Sequence, residues 1–209
     1  MNLITNLETT KIKLEQLLIE KARLLESSTE IKREVKNLEK EKKILEEVKD
    51  CLLKSQEEVR KQSISFTENI VNWGLKEIFN NPNLEFKIEL VYKWNKPEMN
   101  FLVRFDKNVP FIDVVDGEAG GMKDIIGVML RFAIILLNNR FDFPIILDEV
   151  GKHVSKEYRK NFAKFLKVFS EKFQKQIILI THQDEVIEEC HKVIKFKLGN
   201  KNETTINID

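Results

Sequence analysis

Along the first sixty residues, apolar side chains return at every seventh position. Leu3, Leu17, Leu24, Ile31, Leu38, Leu45 and Leu52 share one register, with Thr10 its polar member. A companion seam is half filled, by Leu7, Leu14 and Val35, with Lys21, Ser28 and Lys42 between them. A seven-residue period held over so many turns predicts a supercoiled helix, because a straight helix would carry the stripe off the seam. The first glycine is Gly74 and the first proline Pro82, so nothing in the opening third breaks that helix. At about 1.5 Å per residue, residues 1 to 60 extend roughly 90 Å. One strong and one weak seam, the weak one holding lysines, suits an antiparallel or partner-dependent coil better than a tight parallel zipper.

The stripe widens and turns aromatic through Ile64, Phe66, Ile70, Val71, Trp73, Leu75, Ile78 and Phe79, the pattern of a helix that docks on a domain. Asn80 to Asn83 end it. We place the coiled-coil arm at residues 1–62 and a globular lobe at 63–209. In the lobe, Leu84, Phe86, Ile88, Leu90 and Tyr92 fall on every second position, with charged residues between all but the last two, Asn95 to Glu98 read as a turn, and Phe101, Val103 and Phe105 return as a second strand. Met122 to Leu137 reads as a buried helix, Ile145 to Leu147 as a buried strand, Tyr158 to Phe173 as an amphipathic helix, and Gln176 to Thr181 as another buried strand. Val193 to Lys197 and Thr204 to Ile208 close the lobe as short strands around a turn at Gly199 to Asn202. Strand, helix, strand order predicts an α/β core with parallel strands.

Composition narrows the classes. Charged residues make up 33% of the 209 residues, above the usual quarter, as a long solvated helix requires. The net charge is only +1, so no global basic field points to nucleic acid, and any DNA contact must be local or lie on a partner. Cys51 and Cys190 are isolated and lack metal spacing, which predicts a reduced, cytoplasmic protein. The longest apolar run, Ile125 to Leu137, is interrupted by Gly127 and Arg131 and is too short to span a bilayer. The opening MNLITNLETTK has no apolar signal-peptide core.

Three places carry candidate chemistry. The strand Ile145-Ile146-Leu147 ends in Asp148-Glu149, where one carboxylate can hold Mg²⁺ through water and the next can polarise an attacking water. The strand Ile177 to Thr181 ends in His182, thirty-four residues after Asp148 and one predicted helix away, so adjacent parallel strands put both ends on one rim. The run Asp116-Gly117-Glu118-Ala119-Gly120-Gly121 enters the buried helix, where exposed N–H groups and the helix dipole favour an anion.

In that order, after a coiled coil, these features resemble the C-terminal half of SMC-like ABC ATPases, including double-strand-break-repair and related phage recombination ATPases. The resemblance covers essentially the whole chain and is most specific in GGMKDIIGVMLRFAIILL, PIILDEV and IILITHQDEVIE. It implies the C-terminal lobe of an ABC-type ATPase head, the P-loop NTPase fold in half, carrying a long coiled-coil helix. It further implies that Gly120 and Gly121, with Ala119, belong to the signature loop that meets ATP on an opposing head. Asp148 would be the Walker B magnesium residue, Glu149 the base for the hydrolytic water, and His182 the residue sensing the γ-phosphate. ATP and Mg²⁺ are the implied cofactors. The implied partners are an N-terminal Walker A half, a second head, DNA and a nuclease subunit, with no membrane.

The sequence departs from that pattern at three places. Ala119 stands where a serine is usual, Val150 and Ser155 replace the usual proline and aspartate of the following turn, and no G-x-x-x-x-G-K-[ST] run occurs. The chain alone is therefore expected to bind ATP poorly. A competing reading makes it a non-catalytic coiled-coil adaptor that regulates an SMC-like ATPase. Trp73 and Trp94 read as packing residues, and His153 and His191 as surface residues. Lys152, Lys156, Arg159 and Lys160 read as a solvated helix face that is otherwise a candidate for DNA phosphates.

Overall fold

The computed structural model describes residues 2–94, 96–116, 120–138, 143–198 and 204–208. They divide into two compact units, Met1–Val59 and Arg60–Asp209. From Asn2 onward the first is helical as part of α1 (Asn2–Phe79), and from residue 7 to residue 59 every side chain is exposed. Two concavities mark its seam, one lined by Leu17, Glu20, Lys21, Leu24 and Leu25, the other by Leu38, Glu41, Lys42, Leu45, Glu46 and Lys49. Each includes four residues at i, i+3, i+4 and i+7, from Leu17 in one and from Leu38 in the other, three heptads apart. Such four-residue hollows are what the knobs of a second helix fill in a coiled coil.

The second unit begins with the last turns of α1, where the apolar stripe becomes core. Ile70, Val71, Leu75 and Ile78 are buried, and α1 stops at Asn80, whose φ of +50° is the left-handed conformation that ends helices. The chain returns as β1 (Glu85–Lys93), β2 (Lys96–Arg104) and a two-residue β3 (Ile112–Asp113), an antiparallel sheet in that order. The open edge of β1 is occupied by side chains of α1. Asn72 accepts from the Phe86 N–H at 2.7 Å and donates to its carbonyl at 3.0 Å, while Glu68 accepts from the Ile88 N–H at 2.7 Å. An edge so engaged is closed to further strands.

Next come α2 (Gly120–Leu137), β4 (Ile145–Asp148), α3 (Lys156–Phe173), β5 (Ile177–Ile180), the one-turn α4 (Asp184–Ile187), and the hairpin β6 (Ile194–Leu198) and β7 (Thr204–Ile208). β4 and β5 pair in parallel, as the strand-helix-strand order predicts. The core between α1, α2 and α3 is aromatic. Phe132 stacks on Phe169 at 4.1 Å, and Trp73 meets Phe165, Phe169 and Phe173. Gly74 lets α1 and α2 approach, because a Cβ there would collide with Met129.

Four expectations are corrected. The turn expected at Asn95 to Glu98 is tighter: the ladder continues to Lys93↔Lys96, so Lys96, Pro97 and Glu98 lie in β2. Trp94 does not pack; at φ +52° in the turn it is 97% exposed, because the end of the hairpin runs past the core. The strand β4 is buried on one face only, and the inward face of β5, Ile177 and Leu179, is only partly buried. Ile145 and Leu147 face the core, whereas Ile146, Ile178 and Ile180 are exposed. Finally, the buried helix starts two residues early, taking Gly120 and Gly121 into its first turn. Ala119 and the turn at Gly199 to Asn202 lie outside the described residues.

Candidate functional site at the ends of the parallel strands

The parallel register pairs Asp148 with Ile180, so the residues that follow each strand emerge on one rim. Ladder pairing extends one step further, the Glu149 N–H donating to the Ile180 carbonyl at 2.9 Å. Glu149 then turns away with φ +45°, a left-handed conformation that side-chain-bearing residues adopt rarely and that clusters at functional sites. Opposite it, Thr181 Oγ1 accepts from the Gln183 N–H at 3.1 Å, folding the chain tightly around His182. Gln183 is itself buried, which fixes the base of that turn. The two turns bring His182 Nδ1 to 3.7 Å from Glu149 Oε1.

All three polar side chains are open to solvent. Asp148 is exposed on the same bare face as Ile146 and Ile180, while His182 and Glu149 are three-quarters and half exposed. A parallel sheet is normally covered on both faces, so the strip formed by Ile146, Ile178 and Ile180 beside Asp148 is apolar surface of a kind such sheets ordinarily bury. The described residues contain no group of three or more His, Cys, Asp or Glu able to hold a metal ion unaided. That donor set still fits Mg²⁺, which is commonly held by one or two carboxylates together with water and substrate phosphates.

Gly120 and Gly121 approach this rim through the turn that follows Glu149 and do not meet the carboxylates themselves. A Cβ on Gly121 would stand 2.6 Å from the His153 carbonyl oxygen and 3.0 Å from Val154 Cα. At Gly120 the nearest atom would be His153 Cβ at 4.0 Å. Gly151, at φ +81°, makes the turn possible, and a side chain there would press on Phe162. The turn is also pinned through His153 Nδ1, 2.7 Å from Asp124 Oδ2 on the first turns of α2. His153 and His191 are surface residues, as their lack of metal spacing predicts. Both are exposed, and each meets a carboxylate, His191 pairing with Glu171 at 3.0 Å. The one sequence signal for Asp124 was its place near a helix N-terminus, where an acid is favoured.

Of the basic cluster, Lys152 lies in the turn before α3, and the three members on α3 face acids. Lys156 and Arg159 face Glu185 at 3.5 and 3.9 Å, and Lys160 lies 3.8 and 4.0 Å from Glu188 and Glu189. Those positive charges join α3 to the α4 segment, which supports the solvated-face reading over a phosphate contact.

No family model matches the sequence, and no curated protein matches it significantly. Solved structures do match. A head domain of Smc with coiled coil and joint from Pyrococcus yayanosii aligns at TM-score 0.68 and 18% identity, over 85% of this chain and 33% of that one. The Smc head domain of Pyrococcus furiosus with an extended coiled coil, bound to the C-terminal domain of ScpA, aligns at TM-score 0.58 and 16% identity, over 74% of this chain and 37% of that one. A structure from work on ATP-driven dimerization and DNA-stimulated activation of SMC ATPases aligns at TM-score 0.58 and 15% identity, over 72% of this chain and 88% of that one. The fold is therefore an α/β one, that of SMC head domains with their long helix. The chain spans about a third of the length of the two Pyrococcus proteins.

Proposed function

We propose that this chain supplies the C-terminal half of the ATP-hydrolysing head of an SMC-like protein acting in DNA repair or recombination. The observation that carries the reading is the convergence of Asp148, Glu149 and His182 on one rim of the β4–β5 pair, with Glu149 and His182 3.7 Å apart. The bare strip of Ile146, Ile178 and Ile180 supports it, since the missing cover and the missing phosphate loop would come from one partner lobe. On this reading residues 1–62 are the coiled-coil arm and 63–209 the head lobe.

Within the completed site, Asp148 would hold Mg²⁺, which neutralises phosphate charge. Glu149, held at its turn by the bond from its N–H to Ile180, would orient the attacking water and take its proton. His182 would contact the γ-phosphate from the neighbouring strand end. Gly120 and Gly121, in the first helical turn, where N–H groups have no intrahelical partner, would face ATP held by an opposing head, with Ala119 just before them. A head dimer, DNA and a nuclease subunit are the partners this reading implies.

The test is co-expression with a phosphate-loop half and measurement of phosphate release. Glu149→Gln is expected to lower turnover on the order of 10²- to 10⁴-fold while leaving ATP binding intact. Full activity in that variant would return the chain to the adaptor reading.

A further inference from the structure

We propose that the tip of the β1–β2 hairpin binds single-stranded DNA, with Trp94 stacking on a base and Lys93 and Lys96 meeting the phosphates. Near the domain, the hairpin is ordinary core: Phe86, Ile88 and Val103 are buried. Its far end outruns that core, leaving Met99 and Tyr92 more than half exposed and Trp94 almost wholly so. Trp73, by contrast, packs on three phenylalanines. An indole in open solvent adds nothing to the fold, and Trp94 also holds φ +52°, a conformation that turns usually give to Gly, Asn or Asp.

The charges at the tip are arranged at the fold's expense as well. Lys93 and Lys96 are direct cross-strand partners on one face, a like-charge pairing that weakens a hairpin. Glu98 offsets part of it from 3.1 Å. On the other face Arg60 donates to the Tyr92 hydroxyl at 3.1 Å, holding a second exposed ring beside a guanidinium. Cations interleaved with open aromatic faces fit a strand that offers phosphates and unstacked bases together. An acidic peptide offers a flat face only where it carries an aromatic side chain, whereas a single strand offers one at every unit beside its phosphate, and a duplex hides its own. Because the whole chain carries only +1, binding has to come from such a local site and must respond to single substitutions.

The assignment stands apart from the ATP reading and is tested without nucleotide. Fluorescence anisotropy of a labelled oligothymidylate of about twenty residues, titrated with the full chain, should show saturable binding. Trp94→Ala should weaken it roughly 5- to 100-fold, Trp94→Phe should restore most of the affinity, and Lys93→Glu with Lys96→Glu should weaken it and flatten its salt dependence. Because Trp94 is exposed, thermal melting of the Trp94→Ala protein should match the parent. Unchanged affinity in Trp94→Ala, equal binding of a duplex of the same length, or no binding at all would each overturn the proposal. None of these results would bear on hydrolysis by the completed head.

Discussion

His153 Nδ1 lies 2.7 Å from Asp124 Oδ2, and the carbonyl of the same histidine sits where a side chain on Gly121 would have to go. The first turns of α2 and the turn after Glu149 are thus joined by one polar bond and one bare backbone contact. Movement of the glycine pair must carry the Glu149 turn with it, unless both contacts break. On the proposed reading this couples the surface that faces an opposing head to the residue that handles water.

Gly120 and Gly121 should therefore behave differently although they are neighbours with the same helical role. Gly121→Ala places a methyl 2.6 Å from a carbonyl oxygen, and backbone on both sides has to move. Overpacking of this kind costs about 1–3 kcal/mol, to be read as a fall in urea midpoint. Gly120→Ala meets only His153 Cβ at 4.0 Å, an ordinary contact, and should be neutral or slightly stabilising through the better helix propensity of alanine. Equal destabilisation by the two changes would show that helix dipole or loop entropy, and not the close approach, governs this junction.

The bare side of the β4–β5 pair gives a second prediction. Ile178→Asp alters a residue that is 41% exposed in this chain alone, so it should change its melting temperature little. If a phosphate-loop lobe covers that face, the same change buries an unpaired carboxylate and should abolish co-purification of the two halves. Loss of fold in the isolated variant would instead place Ile178 in this chain's own core.

Much of this architecture was legible in the residues. Uninterrupted heptads from Leu3 to Leu52 without glycine or proline allow little but a long helix, and Pro144 before Ile145 marks where β4 begins. The shared rim of Asp148 and His182 followed from strand-helix-strand order, a rule of chain topology that needs no coordinates. What escaped depends on where elements stop relative to the core. Tyr92 continues the alternation of buried residues, yet it is exposed because the sheet has run past the buried core by then and meets Arg60 of α1 instead. The exposed face of Ile146 and Ile178 is likewise hidden from sequence, since an apolar run reads alike whether its cover is in the same chain or not. His153 with Asp124 and Glu185 with Lys156 meet across loops and helices, and no local spacing encodes such pairs.

Phe169 should be the most costly aromatic to remove. It is fully buried and stacks on Phe132 at 4.1 Å, with Phe173 at 4.7 Å and Trp73 at 6.5 Å. Truncation to alanine leaves a cavity among α1, α2 and α3 and should cost about 3–5 kcal/mol, measured by denaturant unfolding. Phe143, 71% exposed, should tolerate the same change with far less loss. A small effect at Phe169 would mean that the aromatic cluster collapses to refill the space.

Acid sensitivity should trace in part to Glu185. A hydrogen bond from its own backbone N–H, reinforced by Lys156 and Arg159, holds its carboxyl below the usual range against the opposing pull of partial burial. A folded-state pKa below the unfolded one means that protons bind the unfolded chain more readily. The contribution is complete above the ordinary carboxylate pKa and fades as pH falls through the lowered folded value. Parent and Glu185→Gln proteins should therefore differ most in urea stability at neutral pH and converge under acid. A difference that stayed constant from neutral to acidic pH would assign the effect of Glu185 to packing between α3 and α4, with no role for its charge.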